Sequence, residues 1–104
     1  DYTAAPIFMS SNDTGSHEWL IEFSNEPKDL DNFINSLDKN LKNINSDYEA
    51  KRYKDSTMKM PKVVKARPSL FYDWLALKKK LGGQNKIPRL SNSRDYLEEL
   101  KSLN

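Results

Sequence analysis

His17-Glu18-Trp19-Leu20-Ile21-Glu22-Phe23 alternates along its whole length, with Trp19, Ile21 and Phe23 on one side and Glu18, Leu20 and Glu22 on the other. A period of two is the signature of a half-buried strand. The stretch is therefore read as a strand with the Trp19 side inward and both glutamates outward. Upstream, seven loop-forming residues, Ser10 to Ser16, separate it from a second predicted strand ending in Ile7, Phe8 and Met9. The two are expected to pair as a hairpin.

Downstream the period changes. Pro27 and Asp29 suit the first turn of a helix, and Leu30, Phe33, Ile34, Leu37, Leu41 and Ile44 recur every three or four residues as one apolar stripe. Asn45 marks a break. Ser46 and Glu49, three apart, read as a capping box opening a second helix towards Tyr53. Pro61 to Ala66 is short, β-branched at its centre and flanked by Pro61 and Pro68, which predicts an edge strand. After Ser69, the residues Leu70, Phe71, Trp74, Leu75, Leu77 and Leu81 predict a helix closing at Gly82, with Lys78, Lys79 and Lys80 in its last turn. A final helix is expected from about Ser93 to Ser102, with Tyr96, Leu97 and Leu100 inward. The fold class is α+β: a small mixed or antiparallel sheet of three to four strands covered by about four helices, its opposite face partly open.

Composition bounds the function. A chain of 104 residues supports one compact domain with a single core and leaves no room for a large enclosed active site. Aromatic residues at 11% supply the core material that disordered chains lack, although 31% of residues are charged. The chain has no cysteine, hence no disulfide framework or thiolate chemistry, which is compatible with the cytoplasmic location expected for it. It shows no membrane-spanning stretch or signal peptide, so no membrane partner is expected. The net charge of +2 conceals polarity: residues 1–50 carry three lysines and ten acids, a balance of −7, and residues 51–104 carry fourteen Lys/Arg and five acids, a balance of +9. The second half is the side suited to an anion.

Several candidate groups have plain structural readings. His17 is the single histidine, and with no cysteine beside it no metal site is expected. Glu18 and Glu22, outward on a strand, read as solvated carboxylates rather than an acid–base pair. Asn45, Tyr48 and Arg52 fall at spacings of three and four, where they share a helix face and read as a structural clamp. The basic run Lys51, Arg52, Lys54, Lys59, Lys62, Lys65 and Arg67, with Tyr48 and Tyr53, has the cation and aromatic mixture of a nucleic-acid surface. An autonomous basic nucleic-acid-binding α+β module is accordingly the alternative function, and a protein-interaction domain a third.

The sharper candidate is GGQNKIPRL, residues 82–90. It opens with two of the chain's three glycines and places Lys86, Pro88 and Arg89 within four residues, putting two cations on a segment stiffened by proline. The spacing is not that of a P-loop, so it does not make a nucleotide cradle by itself. Lys86 fits an anion held elsewhere.

HEWLIEF (17–23), Leu37-Asp38 with Leu41, NSDYEAKR (45–52), Pro61, the aromatic helix around Phe71 and GGQNKIPRL together resemble the C-terminal domain of the Gretchen Hagen family. These are the auxin-responsive acyl-acid amido synthetases of the adenylate-forming, firefly-luciferase-like superfamily. The resemblance implies a two-step ligase: a carboxylic acid and ATP, with magnesium, give an acyl adenylate, and an amine, typically of an amino acid, then displaces AMP. It also implies a small C-terminal domain that rotates over a large N-terminal domain between the steps. The family's Gln-x-Lys-x-Pro-Arg pattern falls on Gln84, Lys86, Pro88 and Arg89. By resemblance Lys86 is the catalytic, phosphate-reaching lysine and Arg89 a second phosphate ligand, with Gly82, Gly83, Gln84 and Pro88 supporting the loop. Residues 1–104 are then expected to be an N-terminally incomplete lid domain, inactive alone, with ATP and magnesium bound mainly by the absent large domain.

Overall fold

The computed structural model describes residues 1–9, 14–55, 57–78 and 87–104. These form β1 (Tyr2–Ile7), β2 (Ser16–Ile21), α1 (Leu30–Ile44), α2 (Ser46–Arg52), a 3-10 turn (Tyr53–Asp55), β3 (Lys62–Lys65), α3 (Leu70–Leu77) and α4 (Asp95–Leu103). The α+β class and the order of elements are those the sequence predicts. The sheet has the order β1-β2-β3 and is mixed. β1 runs antiparallel to β2, with Thr3 opposite Leu20 and Ala4 opposite Trp19. β3 runs parallel to β2, with Val63 beside Trp19 and Val64 beside Leu20. A parallel neighbour requires a long crossover, which α1 and α2 supply, and it leaves β3 at the edge as its flanking prolines predict.

The helix boundaries follow from their caps. Asp29 Oδ1 accepts from the Asp31 and Asn32 N–H groups at 3.0 and 3.2 Å, so Asp29 is the N-cap of α1 rather than part of its first turn. Asn45 ends α1 through its N–H to the Leu41 carbonyl and opens α2 by accepting from the Tyr48 N–H at 3.0 Å. The cap of α2 is thus Asn45, and the capping box predicted from Ser46 is not what starts it. Lys54, at φ 51°, is left-handed and stops helical continuation beyond Arg52.

Two strand expectations are corrected. β1 occupies Tyr2–Ile7, whereas Phe8 and Met9 lie beyond it and are each 64% exposed. The register explains this, because β2 begins at Ser16 opposite Ile7 and offers Phe8 and Met9 nothing to pair with. Gly15 sits so close beneath Ile7 that a Cβ there would lie 2.7 Å from its carbonyl oxygen, which requires glycine. The faces of β2 are also reversed: Glu18 and Leu20 are buried, while Trp19 and Ile21 are only half-buried.

The reversal arises because helices stand on both faces. α3 and α4 cover the deep side, where Ala5, Leu20, Leu70, Phe71, Trp74, Ile87, Leu97 and Leu100 form one core, and Tyr96 meets Trp74 edge-on at 5.8 Å. Each fully buried large side chain there contributes about 1.5–3 kcal/mol. The shallower side carries α1 and α2, touching the sheet strands' side through Phe33 against Phe23 at 5.2 Å and Tyr48 stacked on His17 at 6.4 Å. Leu30, Phe33, Ile34, Leu37 and Leu41 are half-buried there, and Ile44 is exposed. The expected partly open face is this one. α3 ends at Leu77, itself exposed, and Lys78 caps it and pairs with Glu99 of α4. The predicted continuation through Lys79, Lys80 and Leu81 to Gly82 lies outside the described residues.

Candidate functional site

Gly82, Gly83, Gln84 and Lys86 lie outside the described residues, whereas Pro88 and Arg89 lie within them. The described part, Ile87 to Ser91, is the stem that follows Lys86 in the chain. Its first residue, Ile87, is 7% exposed and packs in the α3–α4 core. From there the chain runs along the free edge of β1. The Pro88 carbonyl accepts from Thr3 Oγ1 at 2.5 Å, the Arg89 carbonyl from the Ala4 N–H at 2.9 Å, and the Ser91 N–H donates to the Ala4 carbonyl at 3.3 Å. Ala4 and Leu90 make a parallel bridge. β1 is therefore bonded on both edges, to β2 and to the stem.

Arg89 points away from this attachment. Its guanidinium stands 5.4 Å from the centroid of the Tyr2 ring, and its Nε lies 3.6 Å from Asp1 Oδ1, with 65% of the side chain exposed. Tyr2 in turn lies 5.8 Å from Trp19. A cation so exposed and so loosely paired stays available to an outside anion.

Beyond the stem, Arg94 fastens the chain to the sheet. Its Nη1 donates to the Pro6 carbonyl at 2.9 Å and its Nη2 to Glu18 Oε1 at 2.8 Å. Lys101 Nζ reaches Glu18 Oε2 at 2.7 Å, and Lys62 lies 3.9 Å from the same oxygen. Burial raises the Glu18 pKa, but hydrogen bonds from Lys101 and Arg94 and the charges of Lys101 and Lys62 outweigh it, leaving Glu18 below the usual carboxylate range. Glu18 is a buried structural anion and not the solvated outward carboxylate predicted. Glu22 accepts from the Ser69 N–H at 3.1 Å.

Asn45, Tyr48 and Arg52 do form a clamp, but its centre is a residue the spacing argument left out. Asp38, 4% exposed, accepts from the Tyr48 hydroxyl at 2.6 Å and from Arg52 Nε at 2.7 Å on Oδ1, and from Arg52 Nη2 at 3.0 Å on Oδ2. Lys42 lies 3.2 Å away, and Arg52 Nη1 also holds the Met58 carbonyl at 3.0 Å. Burial, then the Asp38 bond and charge, push the Tyr48 hydroxyl well above its usual range, so it remains a donor. An acid between Leu37 and Leu41 on the apolar stripe was the available signal. His17, stacked on Tyr48, has its pKa lowered by burial and then by Lys51, which keeps the imidazole neutral.

The predicted basic run is interleaved with acids. Lys51 pairs with Asp47 at 3.0 Å, Lys65 with Glu26 at 3.6 Å and Arg67 with Asp73 at 2.9 Å, while Arg52 and Lys62 serve Asp38 and Glu18. Of these pairs, those of Lys51, Arg52, Lys62 and Lys65 join the acidic first half of the sequence to the basic second.

The class defined by these features is a small α+β domain in which the stem from Ile87 to Ser91 lies along the edge of a mixed sheet. Residues 1–95 match the family model described as the GH3 family C-terminal domain, and the chain belongs to that family, the Gretchen Hagen family of the resemblance. Among solved structures, AtGH3.15 acyl acid amido synthetase in complex with 2,4-DB is similar over 98% of this chain, with a TM-score of 0.64 and 17% identity. At that identity the likeness concerns the fold. The match covers 19% of that protein's chain, so this chain spans less than a quarter of its length. No curated protein sequence matches the chain.

Proposed function

We propose that this chain is the mobile C-terminal lid of a cytoplasmic, ATP-dependent acyl-acid amido synthetase, which adenylates a carboxylic acid and transfers the acyl group to an amine, typically of an amino acid. Lys86 is its catalytic cation and Arg89 a second phosphate ligand, on a loop shaped by Gly82, Gly83, Gln84 and Pro88. The observation that carries this reading is the stem: in a chain of the GH3 family, the segment just after Lys86 is bonded along β1 and presents Arg89 outward. A segment held this firmly to β1 can carry Arg89 to a site on another domain and withdraw it by rigid rotation.

The cations of this loop fit the polyphosphate of ATP. ATP and magnesium are assigned mainly to the large N-terminal domain of the same protein, as the family resemblance implies. As the acid's carboxylate attacks the α-phosphate and pyrophosphate leaves, negative charge accumulates around the phosphorus. An ammonium at ~4 Å is worth roughly 4 kcal/mol there at an effective dielectric near 20. The matching of basic-run cations by acids favours this reading over a nucleic-acid surface. No helix among the described residues is long and apolar enough to cross a membrane.

Lys86→Ala in the full-length protein is expected to slow adenylation on the order of 10²- to 10³-fold, read as acid-dependent pyrophosphate exchange. Unchanged exchange in the folded variant would overturn the assignment.

A further inference from the structure

We infer that the half-covered face of the sheet beside α1 is the seat of an amphipathic helix from the polypeptide that precedes Asp1 in the same protein, an inference that rests on the reading of this chain as the C-terminal part of a longer one and not on its chemistry. α1 is 15 residues long and amphipathic, yet the one residue it buries is a carboxylate, Asp38. Leu30, Phe33, Ile34, Leu37 and Leu41 are all only partly covered. On the sheet side, Trp19, Ile21 and Phe23 are half-buried as well, and Tyr2 is 38% exposed. The deep face is the contrast, because Leu20, Leu70, Phe71, Trp74, Leu97 and Leu100 are all buried there.

The path of the chain names the occupant. Asp1 continues the ladder of β1 and β2 past Tyr2: its carbonyl accepts from the Glu22 N–H at 2.8 Å, and its nitrogen donates to the Glu22 carbonyl at 3.2 Å. By strand alternation the residue before Asp1 stands opposite Phe23, on the side of Tyr2 and Trp19. Phe23 meets Phe33 of α1 edge-on at 5.2 Å. The incoming chain therefore arrives at the open face, beside the first turns of α1, and needs no linker to lie on it. Both edges of β1 are already bonded, to β2 and to the stem, so it cannot add a strand beside β1. The stripe from Leu30 to Leu41 is about 16 Å long, about three turns, which is the length of an average helix. Length is not limiting, since the fold occupies 19% of the similar solved chain. A segment tethered this close is present at an effective concentration in the millimolar range, which a second copy in dilute solution does not match.

The test places the photoreactive residue p-benzoylphenylalanine in the full-length protein at Ile34, at Leu37 and, as a control, at Tyr72, which is 61% exposed on α3. After irradiation, mass spectrometry of the single-chain product is expected to join Ile34 and Leu37 to one peptide upstream of Asp1 whose apolar residues recur every three or four positions, and not to join Tyr72 to it. Mixing isotopically light and heavy protein separates contact with a second copy, which gives mixed-isotope adducts. The same residue at Phe33, a ring for a ring, makes the decision if the other two variants do not fold. Adducts to a second copy, adducts confined to residues 1–104, no adduct, an upstream peptide without that apolar period, or the same upstream peptide from Tyr72 would each overturn the inference. The ligase reading fails separately, in the pyrophosphate exchange of Lys86→Ala, on which these cross-links do not depend.

Discussion

Asp38 and Arg52 close a two-pronged pair between α1 and α2, with Nε 2.7 Å from one carboxylate oxygen and Nη2 3.0 Å from the other. Both side chains are nearly inaccessible, at 6% and 5% exposed. The fork geometry needs arginine, because lysine offers one point of charge and no second prong. Breaking such a pair from one side strands a buried charge, at about 3–5 kcal/mol. Arg52→Met leaves Asp38 only the Tyr48 hydroxyl and the half-exposed Lys42, so the unfolding free energy in urea should fall by up to about that amount, and adding Asp38→Leu should recover part of it, the Tyr48 hydroxyl then losing its acceptor. A double variant no more stable than Arg52→Met would show that the pair is not what holds the two helices.

The same pair sets an acid limit. Burial alone would raise the Asp38 pKa, but bonds from Arg52, Tyr48 and Lys42 and the Arg52 charge bring it down from 3.8 to about 2. A folded-state pKa below the unfolded one gives stability that is complete above about pH 4 and is lost as pH falls from there through about 2. The amount is about 2 kcal/mol. Glu18, also lowered, adds a loss in the same direction. Urea midpoints at about pH 6 and about pH 2.5 should therefore fall further for the parent than for Asp38→Asn, which has no carboxyl at position 38 to protonate. Equal falls would rule out Asp38 as a contributor.

The cluster around Asp38 also shows where sequence reasoning stops. Alternation in residues 17–23 identifies a strand but not which side lies deeper, because that depends on which helix pair packs more closely. Trp19 faces α1 and α2, whose burial is partial, and Leu20 faces α3 and α4. Glu18 looks solvent-facing because its partners Arg94 and Lys101 are 76 and 83 residues away, and no local pattern brings them to it. Helix order and the inward residues of α4 were legible because each rests on a few neighbouring positions. The attachment of Pro88, Arg89 and Ser91 through Thr3 and Ala4 depends on β1 having a free edge, which periodicity does not reveal.

Ser69 is a local conflict that a substitution should relieve. It precedes α3 at φ 67°, ψ 11°, and its side chain makes no capping bond. Its contribution is the backbone N–H to Glu22, which any residue but proline keeps. Left-handed backbone costs a residue with a Cβ roughly 1–2 kcal/mol, partly offset by the greater freedom glycine has when unfolded. Ser69→Gly is expected to stabilise by about 0.5–1 kcal/mol, raising Tm by about 3–5 °C in a thermal melt. A lower Tm would mean that the hydroxyl has a role the geometry does not show.

Arg89 separates a phosphate ligand from a surface brace. Its contacts with Asp1 and Tyr2 are exposed. Such an ion pair is worth roughly 0–1 kcal/mol and the cation–π contact about 0.5–1 kcal/mol. Arg89→Ala should therefore leave Tm within a few degrees of the parent, while slowing pyrophosphate exchange in the full-length protein about 10-fold, less than Lys86→Ala. Arg89→Lys keeps the charge but not the planar fork and should recover part of the rate. The opposite pattern, a clear loss of Tm with normal exchange, would make Arg89 a brace for the stem and leave Lys86 as the loop's single cation acting on phosphate.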